Sequence, residues 1–157
     1  MNNGKNRKDV IWTLRVKLPL YESDCIRIFE IPSNANFLDL HEAIQRAVNF
    51  DNDHLFEFYI GRRPGHRAYP VGQEPEWETF NPDNVYKKIR ISDVWPVPKG
   101  MKVFYLFDFG DNWTFHITKT RHKDKPVQPG VSYPRVIDAK GEAPEQYPDW
   151  DDDWEDE

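Results

Sequence analysis

Asn36-Phe37-Leu38-Asp39-Leu40-His41-Glu42-Ala43-Ile44-Gln45-Arg46-Ala47-Val48 is the stretch on which the reading of this chain turns. Phe37, Leu40, Ile44, Ala47 and Val48 recur at the spacing of one helical face, and Asp39, Glu42, Gln45 and Arg46 fall on the other. Asn36 can accept a hydrogen bond from the first turn, and Asp39 stands three residues later, so the start of the helix is marked as well. One apolar stripe needs one surface to cover. The flanking sequence offers strands for it. Upstream, Val10, Trp12, Leu14, Val16 and Leu18 alternate with Ile11, Thr13, Arg15 and Lys17 up to Pro19, and a second β-rich run from Cys25 to Ile31 stops at Pro32.

Downstream, the Asp51-Asn52-Asp53 cluster makes a turn, and His54, Phe56, Phe58 and Ile60 alternate as a third strand. From Gly61 to Asn84 the pattern is lost among four prolines, and so long an irregular insertion is usually functional or mobile. Ile89 and Ile91 give a short strand signal, and Ser92 is placed to cap a single turn. Met101 to Phe109 and Trp113 to Thr120 form a hairpin around Gly110-Asp111-Asn112, with Val103, Tyr105, Phe107 and Phe109 sharing one face. Val131 to Asp138 adds a last strand. The order of elements predicts a single compact α+β domain, one principal helix packed on a mostly antiparallel sheet. Its boundaries are read as a flexible basic arm over residues 1–9, the domain over 10–140 and an acidic, disordered tail over 141–157.

Composition narrows the function. The chain has 157 residues, the length of one domain, and 15% aromatic residues with which to fill a core. The uninterrupted apolar run in the central strands, Val103 to Phe107, is far short of the ~18 residues of a membrane span, and no secretory leader is legible. The single Cys25 excludes an internal disulfide and a multi-cysteine zinc site, and it reads as core packing. A cytoplasmic protein is expected, without a membrane partner. The net charge of −6 is concentrated at the C-terminus, where seven of the nine residues from Asp149 to Glu157 are acidic; the remainder carries 21 basic and 20 acidic groups. A neutral body argues against nucleic acid as the main ligand, since such binding sets many Lys and Arg against phosphates.

Three local groups carry the chemistry: Asp39 with His41, Asp53 with His54, and Asp108-Phe109-Gly110-Asp111-Asn112-Trp113 followed by His116. Together, in this order and spacing, the stretches 39–45, 53–58 and 105–113 resemble the plasmid Ri open-reading-frame-three-like family, carried on plasmids and near transposon genes in bacteria and archaea. The resemblance implies an α+β fold and no established activity. It also shows departures. Family members commonly have Trp where Phe50 stands, His where Phe56 stands, and a Cys-Pro-Pro-Glu-Asp-like segment where this chain has Ala143-Pro144-Glu145.

His54, Asp108, Asp111 and His116 are candidate ligands for one divalent metal ion, which could activate water, and with His41 they are the candidate catalytic residues of a hydrolase or nuclease. The competing reading assigns them to the backbone. Asp111 and Asn112 are hairpin-turn residues, His54 satisfies groups at a strand start, and His116 alternates to the face opposite Trp113 and Phe115. On that reading His41 is a surface or boundary residue bonded to a loop, there is no cofactor, and the chain is a non-catalytic interaction domain with a protein partner, linked to plasmid or transposon biology. Asp108-Phe109-Gly110 matches a kinase magnesium motif by accident, because no glycine-rich phosphate loop accompanies it.

Candidate binding residues form two basic groups. Arg62, Arg63 and Arg67 gather with His66, and Lys119, Arg121 and Lys123 occupy alternate positions that project together if the strand continues. Either could meet an acidic partner or phosphate; as plain structure, the lysines protect an edge strand. The acidic tail, with Trp150 and Trp154, either solubilises the chain or serves as a cover or hook.

Overall fold

The structure, a computed structural model, describes residues 10–72 and 79–147. The basic arm, Trp77 and the acidic run from Asp149 lie outside the described residues. Among the described residues, eight strands make one sheet: β1 (Val10–Leu18), β2 (Cys25–Pro32), β3 (Phe56–Gly61), β4 (Tyr69–Pro70), β5 (Lys102–Phe107), β6 (Trp113–Lys119), β7 (Lys125–Pro126) and β8 (Arg135–Lys140). Their spatial order is β4-β3-β5-β6-β1-β2-β8, with β7 pairing the start of β1, and every pairing is antiparallel.

The alternation of the two strand systems decides which face is dry. Leu14, Val16, Phe29, Phe58, Val103, Tyr105, Phe107, Phe115 and Ile117 belong to one buried cluster with the stripe of α1 (Phe37–Val48). Phe37 meets Phe58 edge-on with ring centroids 4.9 Å apart, and His41 stacks flat on Phe56 at 3.6 Å, so α1 lies across β3 and β5. Its start is a reciprocal cap: Asp39 N–H donates to Asn36 Oδ1 (2.7 Å) and Asn36 N–H to Asp39 Oδ2 (3.1 Å). Its end is Asn49 in the left-handed region (φ 60°).

Several expectations change with tertiary context. Gln45, read as outward, is buried, and Ala47 is only half-buried. Phe109 is not on the core face: Asp108 takes φ 65°, which ends the alternation after Phe107 and turns Phe109 outward to 36% exposure. Ile91–Asp93 forms one 3-10 turn in place of a strand, begun by Arg90, whose N–H donates to Asp93 Oδ2; Ser92 lies inside that turn. Inside the irregular stretch, Pro82–Tyr86 is a short helix, α2, capped by Asn81 with Pro82 in its first turn, where the missing N–H costs nothing.

The packed body does not end at Lys140. Gly141 (φ +82°) carries the chain off β8 so close to β2 that a Cβ there would stand 2.1 Å from Asp24 O. Arg27 Nη1 holds Gly141 O at 2.8 Å, Ala143 packs on the core, and Gln146 is buried. A C-terminal strap therefore runs from the β8 edge to the loop after α1.

Candidate functional site: a cleft at the end of the sheet

Four residues build the floor of the site. His41 and Gln45 are one turn apart on α1 and face the sheet, Tyr105 rises from β5, and Asn52 (φ 55°) comes from the loop after the helix. Gln45 Nε2 donates to the Tyr105 hydroxyl (2.9 Å), which donates to His41 Nδ1; His41 Nε2–H then donates to Asn52 Oδ1 (2.6 Å), and Asn52 N–H returns to Gln45 Oε1 (2.9 Å). The ring closes on itself, so the partners fix the histidine tautomer. Burial pushes the His41 imidazole down to about 4 and the Tyr105 phenol well up, so both are neutral at pH 7. His41 was expected at the surface or boundary. It is instead 1% exposed, although its bond to a loop is as expected.

Above this floor, residues 52–56, from the loop into the first residue of β3, and residues 80–83 at the start of α2 line a cleft of about 580 Å³. Asp53 and His54 come from the first of these segments and Asp83 from the second, and Leu55, 51% exposed, belongs to the same lining. Phe56 lies in the lining and covers His41.

The strap closes one side of the rim. Gln146 accepts from Asp51 N–H (2.6 Å) and donates to Asp53 Oδ1 (2.9 Å), and the Tyr147 hydroxyl donates to Asp53 Oδ2 (2.6 Å) while His54 Nε2 reaches it at 2.6 Å. The hydrogen bond from Tyr147 holds the Asp53 carboxyl below the usual carboxylate range, and Asp53 in turn pushes the Tyr147 phenol up to about 12. His54 Nε2 also stands 3.3 Å from Asp108 Oδ2 and 3.6 Å from Asp53 Oδ1. Asp108 is buried, and its other oxygen accepts the N–H groups of Gly110 and Asp111, at 3.1 and 3.3 Å. It is the carboxylate that shapes the β5–β6 turn.

The sequence candidates for a metal or reaction thus separate. His54 and Asp108 come together. Asp111 is exposed in the turn and supplies its backbone N–H to Asp108. His116 projects from the opposite face, edge-on to Phe104 at 4.9 Å, where burial foremost, then Lys102, push it down to about 4. His41 is sealed beneath the cleft. Among the described residues, no three His, Cys, Asp or Glu side chains are arranged to hold a metal ion.

Of the basic candidates, Arg67 and Lys119 are engaged and the other four are exposed. Arg67 is bidentate to the buried Glu57 (3.0–3.1 Å) and lies over Tyr59; Arg62 and Arg63 are exposed in the turn after β3. β6 ends at Lys119, so Arg121 and Lys123 do not extend its alternation. Lys119 lies over Trp12 at 4.8 Å and 3.9 Å from Asp124, and Arg121 and Lys123 are exposed in the connection to β7. Gln45, Asn52, Tyr105, Gln146 and Tyr147 were not singled out from sequence. The i, i+4 spacing of Gln45 from His41 beside the apolar stripe was a signal for one of them; Tyr147 meets His54 across 93 residues, which no local pattern announces.

The Plasmid pRiA4b ORF-3-like protein family matches residues 10–148. An uncharacterised protein, y4hQ, of Sinorhizobium fredii is 32% identical over 136 residues, which is 83% of this chain and 62% of the relative. The chain therefore spans less than two thirds of that relative's length. A solved protein of unknown function, MM3350 of Methanosarcina mazei Go1, shares the fold with a TM-score of 0.65 at 28% identity, over 87% of this chain and 72% of that one.

Proposed function

The chain belongs to the plasmid pRiA4b ORF-3-like family, and from the cleft geometry we propose that it is a non-catalytic binding domain that takes a segment of a partner protein. One observation carries this reading: the polar groups at the cleft serve the backbone and one another. Asp108 shapes a turn, Asp53 and His54 clasp the strap, and His41 is locked below, while Leu55 and the two cleft walls stay open to a ligand. Concave shape with a small number of placed polar groups suits recognition. The family's association with plasmids makes a role in the biology of mobile elements, in the cytoplasm, part of the same proposal.

A second reading has one observation in its favour, the His54–Asp108 pair at 3.3 Å with Asp53 beside it at the cleft rim. It is a metal-dependent hydrolase or nuclease in which the His54–Asp108 pair contributes ligands to a divalent ion that activates water. Purification without chelator, metal analysis by emission spectroscopy and an assay on an activated phosphodiester separate the two. The binding-domain reading expects no stoichiometric metal and no turnover. One metal per chain together with turnover of the phosphodiester, both lost in His54→Ala and in Asp108→Asn with folding kept, would establish the hydrolase.

A further inference from the structure

The charge of the cleft specifies its partner. The titratable groups among its described lining residues are Asp53, His54 and Asp83, without lysine or arginine. Asp51 and Asp108 bear on Tyr147 at the rim, so four carboxylates surround one end of the sheet. Hydrogen bonds from the strap keep Asp53 ionised, and each of its oxygens retains acceptor capacity after one bond.

The sequence supplies an independent observation. The seven acidic residues among Asp149–Glu157 join the described chain at Tyr147, whose hydroxyl touches two residues of the cleft lining. The rest of the chain is balanced, with 21 basic and 20 acidic groups, so the excess negative charge lies in the sequence just beyond Tyr147. Fields of one sign at a concave site raise the local concentration of the opposite charge and steer its approach.

We infer that the cleft takes a lysine- or arginine-bearing segment of a partner protein, its charge set between Asp53 and Asp83 and its alkyl stem or an adjacent aliphatic residue laid on Leu55. The inference rests on the binding-domain reading and names its ligand class. Long cationic side chains fit such a place because their methylene stems bury against apolar surface while the head stays at the carboxylates. An acidic segment or a nucleic-acid backbone meets like charge at the same rim.

The test uses the full chain and two labelled peptides, one alternating lysine and leucine and the other glutamate and leucine. The lysine peptide is expected to bind, more weakly as salt rises, while the glutamate peptide does not. Asp83→Asn, and Asp53→Asn separately, each weaken binding about two- to fivefold, the range of one exposed ion pair. Leu55→Arg, which puts a cation in the cleft at an exposed site, abolishes it, and a thermal melt verifies folding of each variant. Equal binding of both peptides that is lost in Leu55→Arg would overturn the charge assignment and leave the cleft as a binding site. Lysine-peptide binding that ignores Asp53→Asn, Asp83→Asn and Leu55→Arg, but disappears on removal of residues 149–157, would assign the affinity to the acidic run alone and overturn the inference. Binding of neither peptide at low salt would also overturn it. Indifference of every bound peptide to Leu55→Arg would remove the cleft from the binding-domain reading as well.

Discussion

His41 is held neutral by its surroundings. The ring stacks on Phe56, both nitrogens have neutral partners, and burial lowers its titration from an ordinary value near 6.5 to about 4. Above pH ~6.5 the imidazole is neutral in folded and unfolded chains alike. Between ~6.5 and about 4 the unfolded chain takes up the proton and the folded one does not, so stability falls as pH falls, by ~1.4 kcal/mol per pH unit. At pH 5 the loss from His41 is about 2 kcal/mol, and His116, also pushed down to about 4, acts in the same direction. Urea midpoints at pH 7.5 and 5 measure the effect, and His41→Gln is expected to flatten the dependence. Tyr105→Phe removes the hydroxyl at the centre of the ring, leaving His41 Nδ1 and Gln45 Nε2 without it; a loss of about 1–3 kcal/mol at pH 7 is expected in the same titration.

At the scale of elements, α1 was legible in sequence because its signals are local. Stripe, cap and length all lie within thirteen residues, and the reciprocal Asn36–Asp39 bonds match the spacing that announced them. Asn36→Ala is expected to cost about 1 kcal/mol, read as a shift in urea midpoint with unchanged slope. The β5–β6 turn was legible as a turn, but its register was not. Asp108 adopts φ 65°, and that single left-handed residue moved Phe109 off the core face. Asp108→Asn, which tolerates this conformation and keeps an acceptor, is expected to fold nearly as well as the parent, whereas Asp108→Val, β-branched in a left-handed position, is expected to lose at least about 1–2 kcal/mol. Guanidinium melts of the two variants supply the comparison. Gln45 escaped the sequence reading because a polar residue at an inward position is acceptable only if tertiary partners satisfy it, and those partners are loop and strand groups distant in sequence.

Across the whole molecule, the ends of the sheet are tied by groups far apart in the chain. Glu30 on β2, 4% exposed, receives Lys125 of β7 at 2.6 Å and Arg135 of β8 at 2.7 Å. The Lys125 hydrogen bond foremost lowers its titration, so this clamp weakens as acid protonates it. At the other end the strap protects loop 51–54: Tyr147→Phe, or a stop after Glu145, is expected to speed hydrogen exchange at the Asp51 amide, which Gln146 covers, while the amides of β5 exchange as before. Equal protection at Asp51 in the truncated chain would show that the strap does not order the loop.

The sequence by itself determined the principal helix, the long antiparallel strands and the family, because helical and strand periodicities and three short motifs are properties of neighbouring residues. Only the tertiary structure decided which polar residues share a site. It joined His54 to Tyr147 and His41 to Tyr105. The physical reason is that a side chain's neighbours across a sheet are set by strand order and by turns such as the one at Asp108. The closing contacts depend on chain separations of 64 to 93 residues, over which local pattern carries no register.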